Sequence, residues 1–160
     1  MILLNFKGKK IKGASIIDEH KEWINVESLR MGLGRAVTMS GGGTVRKPSN
    51  PSFSEFSLNR STDLSSADLF MEAAGGMSLG TAELHFLQTV GSEEKPQVYL
   101  TIELDEAIIS SYSINSSGEC PSETISINFT KISYKFDAFD GKTVSTGTPK
   151  IWDLKLNKKA

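Results

Sequence analysis

The side chains from which a small protein could assemble a reaction centre are scarce in this chain. One cysteine, Cys120, and two histidines, His20 and His85, make up its whole supply of thiol and imidazole. A Cys-His nucleophilic pair would need Cys120 beside His20 or His85, and nothing local marks Cys120 as an activated thiolate. His20 stands in the polar run Asp18-Glu-His-Lys-Glu22, and His85 on the strand face opposite Leu84 and Phe86. Both read as surface histidines rather than converging metal ligands. Gly141-Lys142-Thr143 imitates the end of a phosphate loop, but the glycine such a loop needs five residues before Gly141 is replaced by Phe136. Asp140-Gly141 reads instead as a turn between strands. Gly41-Gly42-Gly43 lacks the strand-loop-helix setting in which glycines cradle a phosphate. Among the carboxylates, Glu103 and Asp105 share the polar face of one strand, with Glu106 next to them. Such residues usually meet water or a lysine and make a poor glycosidase pair. No catalytic residue, metal site or cofactor is therefore expected.

The elements that would position any site are mostly strands. Val98, Leu100, Ile102 and Leu104 alternate with Tyr99, Thr101, Glu103 and Asp105, as a half-buried strand requires. Ala82 to Val90 alternates with less contrast, and Gly91-Ser-Glu-Glu-Lys-Pro96 turns the chain. A third strand spans about Ile108 to Ile114 and leads into the turn residues Asn115 to Pro121. From Thr124 to Phe136 the apolar phase slips by one, from Ile125, Ile127, Phe129 to Ile132, Tyr134, Phe136. Either a bulge near Thr130-Lys131 or a strand that passes from one sheet to another explains the slip. Trp23 to Met31 reads as a strand with neither face cleanly apolar, and Ile151 to Leu156 as a last strand, with Lys158 and Lys159 frayed. Ser65-Ser-Ala-Asp68 fits a capping box that opens one helix, about 66–75, and Gly75-Gly76 can end it. The stretch 38–52 is too rich in Gly and Pro for a helix and too long for an ordinary hairpin connection, so it is expected to be a long extended loop. The fold class is mainly β: a small β-barrel of two sheets with one short flanking α-helix and that loop.

Composition narrows the function classes. The chain has 160 residues with 18 Lys+Arg against 19 Asp+Glu, a net charge of −1. That length suits one domain, 1–160, and the charge balance draws it neither to nucleic acid nor to an anionic membrane. A single cysteine excludes an internal disulfide framework. No apolar run approaches a bilayer span, and Met1 to Phe6 is broken at once by Lys7, Lys9 and Lys10, so cytoplasmic synthesis without a Sec-type signal is expected.

Several pieces occur in an order that resembles one family. They are His20-Lys-Glu-Trp-Ile-Asn-Val-Glu-Ser28 followed by Gly32, Phe53-x-x-Phe56-Ser-Leu58, Ser65-x-x-Asp-Leu-Phe-Met-Glu-Ala-Ala-Gly75, Tyr99-Leu-Thr-Ile-Glu-Leu104, Ile109-Ser-Ser-Tyr112 and Pro121 to Tyr134. Together they resemble the Hcp (haemolysin-coregulated protein) family of type VI secretion, over nearly the whole chain. The resemblance implies a homohexameric ring that stacks into the secreted inner tube and carries small effectors in its lumen. It also implies dealings with the spike, sheath and baseplate of that machine, export through it, and no enzymatic activity without a fused toxin domain. The chain ends about where the family's barrel ends, so no such domain is expected. By position, Thr44, Val45, Arg46 and Lys47 take the place of the family's extended loop, which reaches a neighbouring subunit or the next ring. Ser28 and Arg30 take the place of lumen-facing residues in contact with effectors, where Arg30 departs from the small polar residue common there. The alternative reading is a monomeric β-barrel module that binds sugar or peptide, with Trp23 or Trp152 as a stacking platform.

Overall fold

The computed structural model describes residues 1–39, 46–89, 95–139 and 144–160. In chain order its strands are β1 (Ile2–Phe6), β2 (Ile24–Val26), β3 (Ser28–Arg30), β4 (Leu33–Gly34), β5 (Val37–Met39), β6 (Arg46–Pro48), β7 (Ser52–Phe53) and β8 (Phe56–Ser61). The helix α1 (Ser66–Gly75) follows. Then come β9 (Ala82–Thr89), β10 (Pro96–Asp105), β11 (Ile108–Asn115), β12 (Ser122–Asn128), β13 (Lys131–Phe136), β14 (Ala138–Phe139), β15 (Val144–Ser145), β16 (Lys150–Asp153) and β17 (Lys158–Lys159).

Alternating apolar residues build two antiparallel sheets. The larger runs β17-β16-β13-β10-β9-β1-β2 and the smaller β11-β12-β8-β3. One core joins them: Leu4, Leu84, Ile102 and Leu104 from the larger sheet meet Phe56, Leu58, Ile125 and Ile127 from the smaller, and Leu69 of α1 reaches the same cluster. Neither sheet closes on itself, so the expected barrel is an open two-sheet stack. Seven strands facing four leave part of the larger sheet's inner face without cover.

Two sequence anomalies have one cause. The slip between Phe129 and Ile132 is the joint at which the chain leaves β12 in the smaller sheet and enters β13 in the larger, which selects the second of the two readings above. Trp23 to Met31 is not one strand: β2 lies in the larger sheet and β3 in the smaller. Ile24 and Val26 are therefore buried while Ser28 and Arg30, continuing the same alternation, are exposed.

Three further expectations are corrected. The capping box does not form, because Ser65 makes no side-chain cap bond. Its Oγ donates to Asp63 at 2.5 Å and accepts from Arg60 at 2.6 Å instead. The last strand ends at Asp153, whose carboxylate accepts the Leu156 N–H at 2.9 Å and turns the chain, so Leu154 and Leu156 leave the strand. Lys158 and Lys159, expected to fray, pair with Asp153 and Trp152. The expected long loop carries short paired strands on both sides of residues 40–45: Val37, Thr38 and Met39 face Pro48, Lys47 and Arg46, and Leu33 and Gly34 face Phe53 and Ser52.

Candidate functional site

The residues with chemical potential are drawn apart. Cys120 contacts Thr62 and Pro121 in the turn between β11 and β12, whereas His20 and His85 bond to each other, Nε2 to Nδ1 at 2.7 Å. His20, expected at the surface, is 5% exposed. Glu103 accepts from Lys7 at 2.8 Å, Asp105 from Thr81 at 3.0 Å, and Glu106 from Lys155 at 2.7 Å, so each carboxylate already has a partner. Among the described residues no three His, Cys, Asp or Glu side chains are grouped to hold a metal ion. The turn expected at Asp140-Gly141 lies outside the described residues.

One polar cluster is buried. Arg60, 1% exposed, lies between Glu123 on the neighbouring strand and Asp63 at the approach to α1, and Tyr112 donates to Glu123 at 2.7 Å. Burial, then the bond to this carboxylate, pushes the Tyr112 hydroxyl up to about 12. The cluster fastens the helix entrance to the smaller sheet, and its role is structural.

The larger surfaces are more telling. On the outward face of the smaller sheet the register aligns Arg30, Ser57, Ser126 and Ser111 in one row and Ser28, Asn59, Thr124 and Ser113 in the next. Thr124 donates to Asn59 at 2.7 Å, Asn59 to Ser28 at 3.3 Å, and the Ser57 and Ser126 hydroxyls meet at 3.2 Å. Ser28 and Arg30 thus stand on a sheet face of hydroxyls and amides, in which Arg30 is the one cation of these two rows.

A second surface is the arm from β4 to β7. Residues 32–39 and 46–50 are all exposed, with Val37 at 57% and Met39 at 68%. An isolated two-stranded ribbon is marginal in water; β5 and β6 are exposed along their whole length, and only at the arm's base does Phe53 pack against Phe129 of the core. Arg46 and Lys47 sit on its returning strand, while Thr44 and Val45 lie outside the described residues.

A third surface begins at the arm's base. Leu33 and Phe53 of the arm and Ile132, Tyr134 and Trp152 of the larger sheet line an open groove of about 640 Å³, rimmed by Arg35, Lys150 and Lys159. Tyr134 and Phe136 point to the inner side of the sheet, in register with Ile102 and Leu100, yet are 44% and 53% exposed. They lie on the part of that face that the smaller sheet does not cover. The helix adds Phe70 and Met71, 54% and 62% exposed. None of this was visible in the periodicity, which marks these positions as core without saying whose core.

The described residues form an open two-sheet β fold with a flanking helix and an exposed hairpin arm. Residues 3–136 match the family described as "Type VI secretion system effector, Hcp", and the chain belongs to that family. A solved structure titled as a type six secretion system protein is 25% identical, with a TM-score of 0.88 over 99% of this chain and 98% of the other. Hcp1 from Salmonella typhimurium is 23% identical, with a TM-score of 0.75 over 99% and 97%. A type VI secretion system effector from Yersinia pestis is 21% identical, with a TM-score of 0.69 over 96% and 99%. A search of curated proteins finds no match. Among the described residues no helix is long and apolar enough to cross a membrane.

Proposed function

We propose that this chain is a tube subunit of a type VI secretion system. It works by self-association into a homohexameric ring, by stacking of rings, and by carriage of small effectors in the lumen. It is expelled through the apparatus and meets its spike, sheath and baseplate, and no catalytic step belongs to it. The observation that carries the reading is the exposed apolar surface of the arm, the groove and α1, on a chain whose family is that of the secretion system. Patches of this kind mark association sites on a soluble protein. Because arm, groove and helix are different surfaces, the contact between copies is heterologous, the type that closes into rings.

Within this reading, Arg46 and Lys47, with Thr44 and Val45, contact a neighbouring subunit or ring. The hydroxyl face with Ser28 and Arg30 lines the lumen, where a polar, nearly neutral surface lets folded cargo slide without sticking. Negative-stain imaging of the purified protein tests the assembly: annular particles with a central channel are expected, and a field of featureless monomers at high concentration contradicts it.

The groove also favours a second reading, since Phe53, Tyr134 and Trp152 offer aromatic faces to a sugar or peptide. Trp23 does not, because both histidine rings pack against it. A protein that stays monomeric and whose tryptophan emission shifts with an oligosaccharide supports this module over the tube.

A further inference from the structure

The face of the larger sheet that points away from the core has a cover of its own. Leu3 and Leu87 are 0% and 3% exposed on that face, although neither belongs to the core cluster. Leu3 is in register with His85 on β9 and with Asn25 on β2. The chain between β1 and β2 supplies His20 and Trp23, whose rings pack on His85 with centroids 5.0 and 4.7 Å from it. This strap is tied to itself by Gly13 N–H to Glu22 C=O at 2.7 Å and Glu22 N–H to Ser15 C=O at 2.9 Å. It is also strained: Glu19 and Glu22, either side of His20, have φ of 71° and 63°. Side chains favour that region poorly, so such a turn persists only while its surroundings hold it. His20 is the buried side chain at its centre.

The hydrogen bonds fix where protons sit. The Glu83 carboxylate, 3.1 Å from His85 Nε2, can only accept, so that nitrogen carries a hydrogen. In a neutral His85 the Nδ1 is then an acceptor, and His20 Nε2 donates to it. His20 Nδ1 is left bare, and it is buried with no partner. A proton added to His20 goes to that nitrogen. A proton added to His85 makes its Nδ1 a donor, so His20 must accept through Nε2 and carry its own hydrogen on Nδ1. Either way the first proton taken up puts a hydrogen on the buried His20 Nδ1, which makes no well-formed hydrogen bond, and the nearby Asp18 backbone offsets only part of the cost of that buried donor.

We propose that the His20–His85 pair is an acid-sensitive latch: proton uptake unfastens residues 14–23 from the outer face of the larger sheet and uncovers Leu3, Trp23 and the β1–β2 edge.

The charged groups around the pair set its direction. Burial, then the nearby His85, holds His20 below the ordinary histidine value, while the Asp18 backbone, Glu19 and Glu83 pull the other way. Glu83 is held below the usual carboxylate range, mainly by its bond to His85, and Lys7 lies between it and Glu103. Lys135 and Asp137 face the same depression and pair with each other. Glu83 therefore stays ionised in mild acid. A histidine whose value is lowered in the fastened state binds its proton more tightly once released. Fastening is therefore complete above about pH 6.5 and is lost as pH falls below it.

Hydrogen exchange by mass spectrometry at pH 7.5 and 5.5, corrected for intrinsic rates, tests the latch on the full chain. Peptides over residues 14–26 are expected to lose protection at least tenfold at pH 5.5 relative to peptides of β8 and β12. His20→Phe and His20→Gln, neither of which titrates, are both expected to abolish the pH dependence. Equal protection of the strap at both pH values in the wild type overturns the proposal, and so does acid release of wild-type size in both variants. The readout is local to the strap and does not depend on whether rings form.

Discussion

Arg60 shows how a buried charge reports on its neighbours. It is nearly inaccessible, and so is Glu123. Removing one partner leaves the other as an uncompensated buried ion, which costs about 3–5 kcal/mol, whereas replacing both with apolar residues is often nearly neutral. Arg60→Met is therefore expected to lower the unfolding free energy by about that amount in a denaturant titration, and Arg60→Met with Glu123→Leu to recover most of it. Tyr112 gives a spectroscopic test of the same cluster: absorbance at 295 nm should show a phenol ionising at about 12 that Tyr112→Phe removes. Since the folded state holds this proton more tightly, stability should fall as pH rises past the ordinary tyrosine value near 10. Tyr112 and Glu123 were legible as parts of a motif, but Arg60 was not. Only the β8–β12 register, which sets Arg60 opposite Glu123, brings the three together. The burial of His20 was hidden for a similar reason: its sequence neighbours are polar, and its cover comes from β9, 65 residues away.

At the scale of elements, the strands were readable because period two survives wherever one face is buried. The breaks in that period were equally informative once the joints at Glu27 and Phe129–Thr130 were seen to carry the chain between sheets. The arm was not readable as a hairpin, since residues that cover no core of their own leave no pattern to read. Its exposed apolar pair makes a prediction at this scale. Val37→Ser with Met39→Ser should leave far-UV circular dichroism unchanged and shift the sedimentation profile toward monomer. A variant that assembles like the wild type would remove the arm from the contact. Two glycines constrain other elements, one by a close approach and one by a positive φ. A Cβ on Gly13 would stand 2.1 Å from the Trp23 carbonyl oxygen, so Gly13→Ala must displace the strap, with an expected loss of about 1–3 kcal/mol in thermal or denaturant unfolding. Gly76, at φ 65°, ends α1 through its N–H to the Glu72 carbonyl, and Gly76→Ala should cost about 1 kcal/mol.

For the molecule as a whole, the mainly β class and the family were legible in the sequence, and the open edges of the two sheets were not. A barrel was the economical expectation for strands of this spacing, because closure removes edges. Here the larger sheet overhangs the smaller, and the edges and the uncovered inner face remain available to a neighbour. Net charge is close to zero, so the proposed association would rest on apolar contact rather than long-range attraction, and added salt should weaken it little. The central claim is that copies of this chain complete one another's surfaces in a closed ring. Its most direct test is the molar mass by light scattering across a range of concentrations. The account predicts a species near six times 17.4 kDa that persists on dilution. A single 17.4 kDa species at every concentration would contradict it.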